Sequence, residues 1–585
     1  MRLAITAVLL LACALPAAAV DPSAHVIRVS ATYPGADART VDETVLVPLF
    51  KQISGVEGIT RIESEARADG TGTVTLFFDP KTDLNIAQVV VQNRVNLALP
   101  VVPSPCRQFG MPVRKLSAGP PTYWFALTSE DATHDAQFLA GSVAPRLKFG
   151  LVRVPGVVDV RIAGVDEPFV RVELNMARLT AYSQTVGTVV DALRRQNTPI
   201  AAGGIIRGPA LQHAVTASGR LTDINQFSSI ILKANATGEI LRLRDVARVE
   251  FRFVSGGFAI LNGKPAALVA VTAWPGRLTA DQFRKVEEYA DLPPGIRFDV
   301  FADRTADHLL EVDVRVPGTA LPEQTEKVVA RAAELVRGLP GKPTVAAFAE
   351  ERTPNAAKIL VKVPAEGGPT VADVERALAA IPAAAFRVGS APPGKEAFPV
   401  RVALTNLGFS DEESNREVAD RVVARLKKEP GLVSPAAFPG PDLPHFAVNV
   451  DRDRCAIAGV ELDDVFTTLQ ATLGGVYATD FYKFNQTYRV IVQGSPEFSR
   501  EIDDLTDLRV RSATGDLVTF GKILKVRKAL ASPSVVRVNG YQAVVITAAP
   551  AAGKTPAEAA ARCVKLAQEV VPRGYRVTDL TGLPR

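Results

Sequence analysis

The chemistry of metal and redox sites is scarce in this 585-residue chain. Four cysteines, five histidines and three methionines are scattered along it. No CxxC occurs, and no two histidines stand at the i, i+4 spacing of a helical zinc site, so a zinc constellation has no support. Cys106, Cys455 and Cys563 read as small buried hydrophobes. A strong charge of one sign is also missing. Sixty-seven basic residues face 62 acidic ones, a net of +5, which is too close to balance to argue for nucleic acid. The short basic runs Lys427-Lys428 and Lys525 to Lys528 read as solvated faces. Long apolar runs are confined to the N-terminus. Elsewhere the mean hydropathy of +0.12 comes from dispersed alanine and valine, whereas a spanning helix needs about 20 consecutive apolar residues.

The N-terminus, "MRLAITAVLLLACALPAAAVDPS", carries one basic residue, an apolar run from Leu3 to Leu15 and a small-x-small site at Ala17 to Ala19. It reads as a secretory signal peptide over residues 1–19. Two rivals are an uncleaved anchor, which Pro16 and the small residues disfavour, and a lipidated Cys13 within "LLAC", whose Leu11 is an atypical neighbour. Export implies an oxidising compartment where cysteines are normally paired. The three that remain after cleavage are an odd, widely spaced set and do not form a disulfide framework.

What the chain does have is a long internal repeat. "YPGADARTVDETV" and "VPGTALPEQTEKV" align at Gly35 and Gly318, and "ISGVEG" and "VRGLPG" at Gly55 and Gly338, both pairs 283 residues apart. "VPGVV" and "EPGLV" align at Pro155 and Pro430, 275 apart. "ATGEI" and "ATGDL" align at Gly238 and Gly515, and "LNGKPAALV" and "VNGYQAVVI" at Gly263 and Gly540, both 277 apart. Preserved order with a drift of a few residues means duplication with indels confined to loops, and residues 296–318 lie at the seam. Within each copy short strands alternate with amphipathic helices. "SDEESNREVADRVVARLKK" opens with a capping box, Ser410 and Glu413, and places Val418, Val422, Val423 and Leu426 on one face. Such alternation predicts an α+β fold of split βαβ, ferredoxin-like units.

"AAPAAGKT", Ala548 to Thr555, satisfies a relaxed phosphate-binding-loop pattern. Ala548 stands where the strict form has Gly, and Pro550 removes a backbone donor that a phosphate cradle uses. In the other copy Gly276 aligns with Gly553 but no Lys-Thr follows, while Thr279 and Gln282 form a capping box as Thr555 and Glu558 do. Thr555 is therefore expected to be an N-cap with Pro556 at the first helical position, and nucleotide binding is not expected.

Four stretches carry a family resemblance: "YPGADARTVDETVLVPLFKQISGVEGI", "DGTGTVTLFFDPKTDLNIAQVVVQNRVNLALPVVP", "ILNGKPAALVAV" and "AGVELDDVFTTLQATLGGVYATDFYKFNQTYRVIVQGSPEFSREIDDL". Together they resemble the periplasmic portion of resistance-nodulation-division (RND) efflux permeases of the hydrophobe/amphiphile branch, over nearly the whole chain after the signal. The resemblance implies, in the first copy, porter subdomains at 26–120 and at 121–165 plus 253–305, the latter interrupted by a docking subdomain at 166–252. In the second copy it implies porter pieces at 309–390 and at 391–441 plus 530–585, with docking at 442–529. In the family one transmembrane bundle lies between the positions of Asp303 and Leu309 and another follows the second copy. Here five residues, 304–308, bridge the first gap, so the expectation is a pump head without the intramembrane carboxylates and lysine that couple proton flow to transport.

The resemblance also implies a pocket lined by aromatic residues. Its candidates here are Tyr123, Trp124, Phe125 and Phe348, with ordinary sandwich core as the competing account. Ala163 stands where the family commonly has Phe, and "AEERTPNAAK" replaces the glycine- and phenylalanine-rich switch loop. Copper and silver pumps of the family use methionine clusters, which Met1, Met111 and Met176 do not form. The family's exchanged arm corresponds to "NTPIAAGGIIRGPALQHAVTASG", with Gly203, Gly204, Ile205, Ile206 and Gly208 as the oligomerisation residues.

Two functions follow. One is a periplasmic binding and assembly module for the efflux of hydrophobic compounds, trimeric with itself or with RND permease chains and in contact with an adaptor and an outer-membrane duct. The other is a free periplasmic carrier or scavenger of hydrophobic small molecules. Neither is an enzyme, and neither needs a cofactor, a metal or nucleic acid. Retention of the arm favours assembly.

Overall fold

The computed structural model describes residues 25–581 apart from 117–120, 132–133, 135–137, 164–168, 199–200, 208–211, 236–237, 253–257, 274–291, 293, 304–306, 317–321, 350–355, 365, 392–398, 409–411, 441, 484–485, 496–501 and 552. The signal region 1–19, Cys13, Gly208, Thr279, Gln282 and Ser410 lie outside the described residues.

Fifteen described strands run up to Asp303 and fifteen from Leu309 onward. The first set is β1 Val26–Thr32, β2 Ile59–Arg67, β3 Thr71–Phe78, β4 Val113–Leu116, β5 Tyr123–Ser129, β6 Val157–Ala163, β7 Phe169–Leu174, β8 Ala201–Arg207, β9 Gln212–Ser218, β10 Ile231–Ala234, β11 Ile240–Arg242, β12 Ala247–Arg252, β13 Ala259–Leu261, β14 Lys264–Ala273 and β15 Ile296–Asp303. The second is β16 Leu309–Arg315, β17 Thr344–Ala349, β18 Ala356–Lys362, β19 Ala385–Ala391, β20 Val400–Asn406, β21 Leu432–Phe438, β22 Leu443–Val450, β23 Val476–Lys483, β24 Gln486–Gly494, β25 Arg509–Arg511, β26 Leu517–Thr519, β27 Leu524–Ala531, β28 Ser534–Val538, β29 Tyr541–Pro550 and β30 Tyr575–Asp579.

Strand pairing follows the repeat. One nine-stranded sheet runs β30-β20-β29-β28-β2-β3-β1-β4 with β21 on β29, and the other runs β15-β5-β14-β13-β17-β18-β16-β19 with β6 on β14. Each strand of one sheet has its counterpart, fifteen strands away in sequence, at the same place in the other. Each sheet also mixes the copies, since β13 joins β17 and β28 joins β2. The ladders are antiparallel except β24 with β7, which is parallel. The fold is α+β and mostly antiparallel.

The seam requires the second sheet to curl. β15 and β16 stand six strand spacings apart in the sheet order, about 29 Å if the sheet were flat. The chain from Asp303 to Leu309 reaches at most about 22 Å. The Asp307 amide nevertheless donates to the Asp303 carbonyl at 2.6 Å, and the Asp303 amide to Asp307 Oδ2 at 2.7 Å. Lys362 Nζ lies 2.8 Å from the same carboxylate. The edge strand β15 and the penultimate strand β16 are therefore drawn together around a concave face.

Period-two alternation gives each sheet two faces. The convex faces carry the helices. Leu84–Ala98 buries Ala87, Val91, Val95 and Ala98. Glu412–Leu426 buries Val418, Val422 and Leu426, with Val423 packed against the same core. Pro556–Val570 begins at Thr555, whose Oγ1 accepts from the Glu558 amide at 3.2 Å while Glu558 Oε2 accepts from the Thr555 amide at 3.0 Å. Both capping oxygens are thus committed to the helix end. Cys106, Cys455 and Cys563 are free and buried, and burial pushes the Cys563 thiol up to about 12. No helix among the described residues is long and apolar enough to cross a membrane.

Candidate functional site

Alternation along β5 divides the aromatic residues singled out in the sequence. Phe125 is fully buried on the convex, helix-covered face, where it stacks on Phe298 at 4.9 Å. Tyr123 lies on the same side, 6.3 Å from Phe125, and burial raises its phenol pKa. Trp124 points the other way. On the concave face its ring lies 5.1 Å from that of Phe348 on β17. Around this pair pack Leu268, Phe301, Leu309, Leu360 and Ala163, and Ala549 reaches in from the other sheet. Trp124 Nε1 is buried with no hydrogen-bond partner. A buried donor without an acceptor in apolar surroundings costs stability. The four aromatics therefore do not share one face in this structure: Trp124 and Phe348 pack on the concave side, and Tyr123 and Phe125 belong to the helix-packed core.

Across the molecule the equivalent concavity is charged. Arg401 on β20 is in register with Thr547 on β29 as Trp124 is with Ala270 on β14, so Arg401 and Trp124 occupy equivalent places. Arg401 Nη2 donates to Glu63 Oε2 at 3.1 Å, and Arg61 Nε lies 3.0 Å from Glu63 Oε1. The Arg61 guanidinium sits 3.8 Å above the Phe77 ring, a cation–π contact. Arg387 on β19 reaches over from the other sheet and donates to Thr547 Oγ1 at 2.9 Å. These charges were not among the residues singled out from the sequence. Their signal is legible in "TRIESEAR", where charges alternate along a strand whose intervening residues Ile62 and Ala66 are core.

The arm residues Gly203, Gly204, Ile205 and Ile206 lie on β8, which pairs with β9 and with no other strand among the described residues. The counterpart hairpin, β23–β24, docks in parallel on β7 to make the sheet β12-β7-β24-β23. The strand equivalent to β7 is β22, and among the described residues it pairs only with β27.

The profile of the AcrB/AcrD/AcrF family matches residues 9–307 and 366–582. The chain belongs to that family, which places it among the RND efflux permeases. Its similarity to the multidrug export protein AcrF of Escherichia coli K12 is 33% identity over 281 residues, covering 46% of this chain and 26% of AcrF. The toluene efflux pump membrane transporter TtgB of Pseudomonas putida is 32% identical over 285 residues, 46% of this chain and 27% of TtgB. The multidrug resistance protein MdtF of Escherichia coli K12 is 34% identical over 268 residues, 45% of this chain and 26% of MdtF. The matched stretch spans about a quarter of the length of these relatives. Within the family profile, residues 308–365 fall between the two matched blocks. The interruption begins at the seam and covers β16, β17 and β18, including Phe348.

Proposed function

We propose that this chain is the periplasmic head of an RND-type efflux assembly. On this reading each sheet unites two porter subdomains of split βαβ type, one from each copy, with the divisions given above, and β7–β12 and β22–β27 belong to the two docking subdomains. It binds hydrophobic compounds on Trp124 and Phe348. It forms trimers with itself or with RND permease chains, and it meets an adaptor and an outer-membrane duct in the periplasm.

The observation that carries the proposal is the unequal use of equivalent hairpins. β23–β24 completes a sheet on β7, while among the described residues β8–β9 has no second partner and β22 offers a strand edge with none. Unpaired edges invite another chain. Phe446 on β22 and Leu530 on β27 are 47% and 69% exposed, which adds apolar surface for an incoming hairpin to cover. A hairpin donated by one copy to β22 of the next is a head-to-tail contact, which closes into a trimeric ring when the rotation between copies is threefold. A free carrier has no use for either feature.

Light scattering over a concentration series tests this reading. Trimer is expected to appear as concentration rises, and deletion of residues 203–209 is expected to abolish it without unfolding the sheets. A protein that stays monomeric at every concentration and co-purifies with no permease, adaptor or duct would overturn it.

A further inference from the structure

One cavity opens where the chain enters and leaves the β22–β27 ladder, away from the Trp124–Phe348 pair. Asn415 and Arg416 of the helix Glu412–Leu426 line it, with Asp442 just before β22, Ser534 at the start of β28 and Gln542 on β29. Its enclosed part holds about 30 Å³, room for about two waters. With its solvent-filled mouth the space is about 410 Å³.

The polar groups around this cavity are under-used. Ser534 is 3% exposed, and its Oγ is buried with no hydrogen-bond partner. Such a hydroxyl costs stability until something meets it. Asn415 Oδ1 accepts from Asn406 Nδ2 and from the Tyr575 hydroxyl, while among the described residues its Nδ2 donates to nothing. Arg416 Nε donates to Asp420 Oδ2 and Nη1 to the carbonyls of Pro439 and Gly440, which leaves Nη2 without a partner among the described residues. Asp442 is exposed and forms no ion pair among them, with Arg416 or with any other cation. A cation and an anion that share a cavity wall without meeting leave a gap. A ligand of one charge would satisfy one of them and crowd the other, whereas a ligand that carries both charges bridges them.

We propose that this cavity binds a small zwitterion of the α-amino-acid class. Its carboxylate accepts from Arg416 Nη2 and Asn415 Nδ2, and its ammonium donates to the Asp442 carboxylate and to Ser534 Oγ. The enclosed part admits only the charged head, so the side chain stands in the mouth and is small. The site goes beyond the proposed hydrophobic-ligand role and shares no residue with it.

L-Alanine, L-alaninamide and N-acetyl-L-alanine separate the two ends when titrated calorimetrically into the full chain. The amide keeps only the ammonium, and the acetyl derivative keeps only the carboxylate. L-Alanine is expected to bind at least about tenfold more tightly than either, the scale of one charge-assisted contact. Asp442→Asn changes an exposed side chain that holds nothing in place. It is expected to bring L-alanine down to the affinity of N-acetyl-L-alanine and to leave the latter unchanged. Ser534→Ala is expected to weaken L-alanine without lowering the melting temperature, because the hydroxyl it removes has no partner in the folded chain. L-Alanine binding no tighter than either derivative, a preference that survives Asp442→Asn, or binding of none of the three overturns the site. Dye binding at Trp124 and Phe348 is read separately and is untouched by any of these results.

Discussion

The two curled sheets share strand order, register and helical cover, and they differ where they face inward. At equivalent places on β5 and β20 stand Trp124 and Arg401. Each reaches across its concave face to the strand three places away, the first to meet the Phe348 ring at a tilt and the second to bond Glu63. On β17 the residue equivalent to Glu63 is Ala346, two residues from Phe348 on the same face. Duplication kept the convex faces apolar because every helix needs a surface to bury against. The concave faces differ at these places, where one sheet buries a pair of rings and the other a guanidinium against a carboxylate whose desolvation partners must offset, although the first sheet also carries Lys358 beside Glu311 and Asp313 on that face.

The comparison breaks most visibly at Glu63. Glu63→Gln leaves two buried guanidiniums without a carboxylate and is expected to cost about 4 kcal/mol, read as a drop in the denaturant midpoint. An unchanged midpoint would mean that water already screens the cluster and the two concave faces are not physically different.

Next in size is the aromatic side. Phe348→Ala opens a cavity beside Trp124 and is expected to cost about 3 kcal/mol, with a red shift of tryptophan emission as the ring is uncovered. The unaltered protein is expected to bind a fluorescent apolar dye with micromolar affinity, about 8 kcal/mol, and Trp124→Ala and Phe348→Ala are expected to weaken that binding. Dye binding unaltered in both variants would make the pair plain core.

The convex face of the charged sheet supplies a smaller contrast. Thr555→Ala removes a helix cap and is expected to cost about 1 kcal/mol by thermal unfolding. Hydrogen bonds from Thr555 hold the Glu558 carboxyl below its usual range. The folded value is the lower one, so this small contribution is present above the unfolded pKa and lost as pH falls through the folded one. The smallest effect belongs to Lys554→Ala, expected to change neither stability nor nucleotide affinity. Saturable ATP binding that this substitution abolishes would restore the phosphate-loop reading of Ala548 to Thr555.

Much of this was legible beforehand. Periodicity placed Val418, Val422 and Leu426 against a core, the paired glycines marked the duplication, and Thr555 with Glu558 announced a capping box, because each signal is local and set by backbone geometry. The candidate site was only half legible. "TYWFAL" advertises aromatics but not which of them look inward, and the charges of "TRIESEAR" look like a solvated edge until Arg401, 338 residues from Glu63, arrives beside them.

By itself, then, the sequence determined the strands, the helices, their caps and the two-copy plan, since these follow from contacts within a few residues and from repetition. Only the tertiary structure decided that each sheet is built half from one copy and half from the other, that the seam pulls a sheet into a curl, and that Trp124 meets a ring across one concave face where Arg401 meets a carboxylate across the other. Those outcomes depend on pairing between residues hundreds of positions apart, where the balance between burying a ring and burying a charge is set by neighbours that no local pattern names.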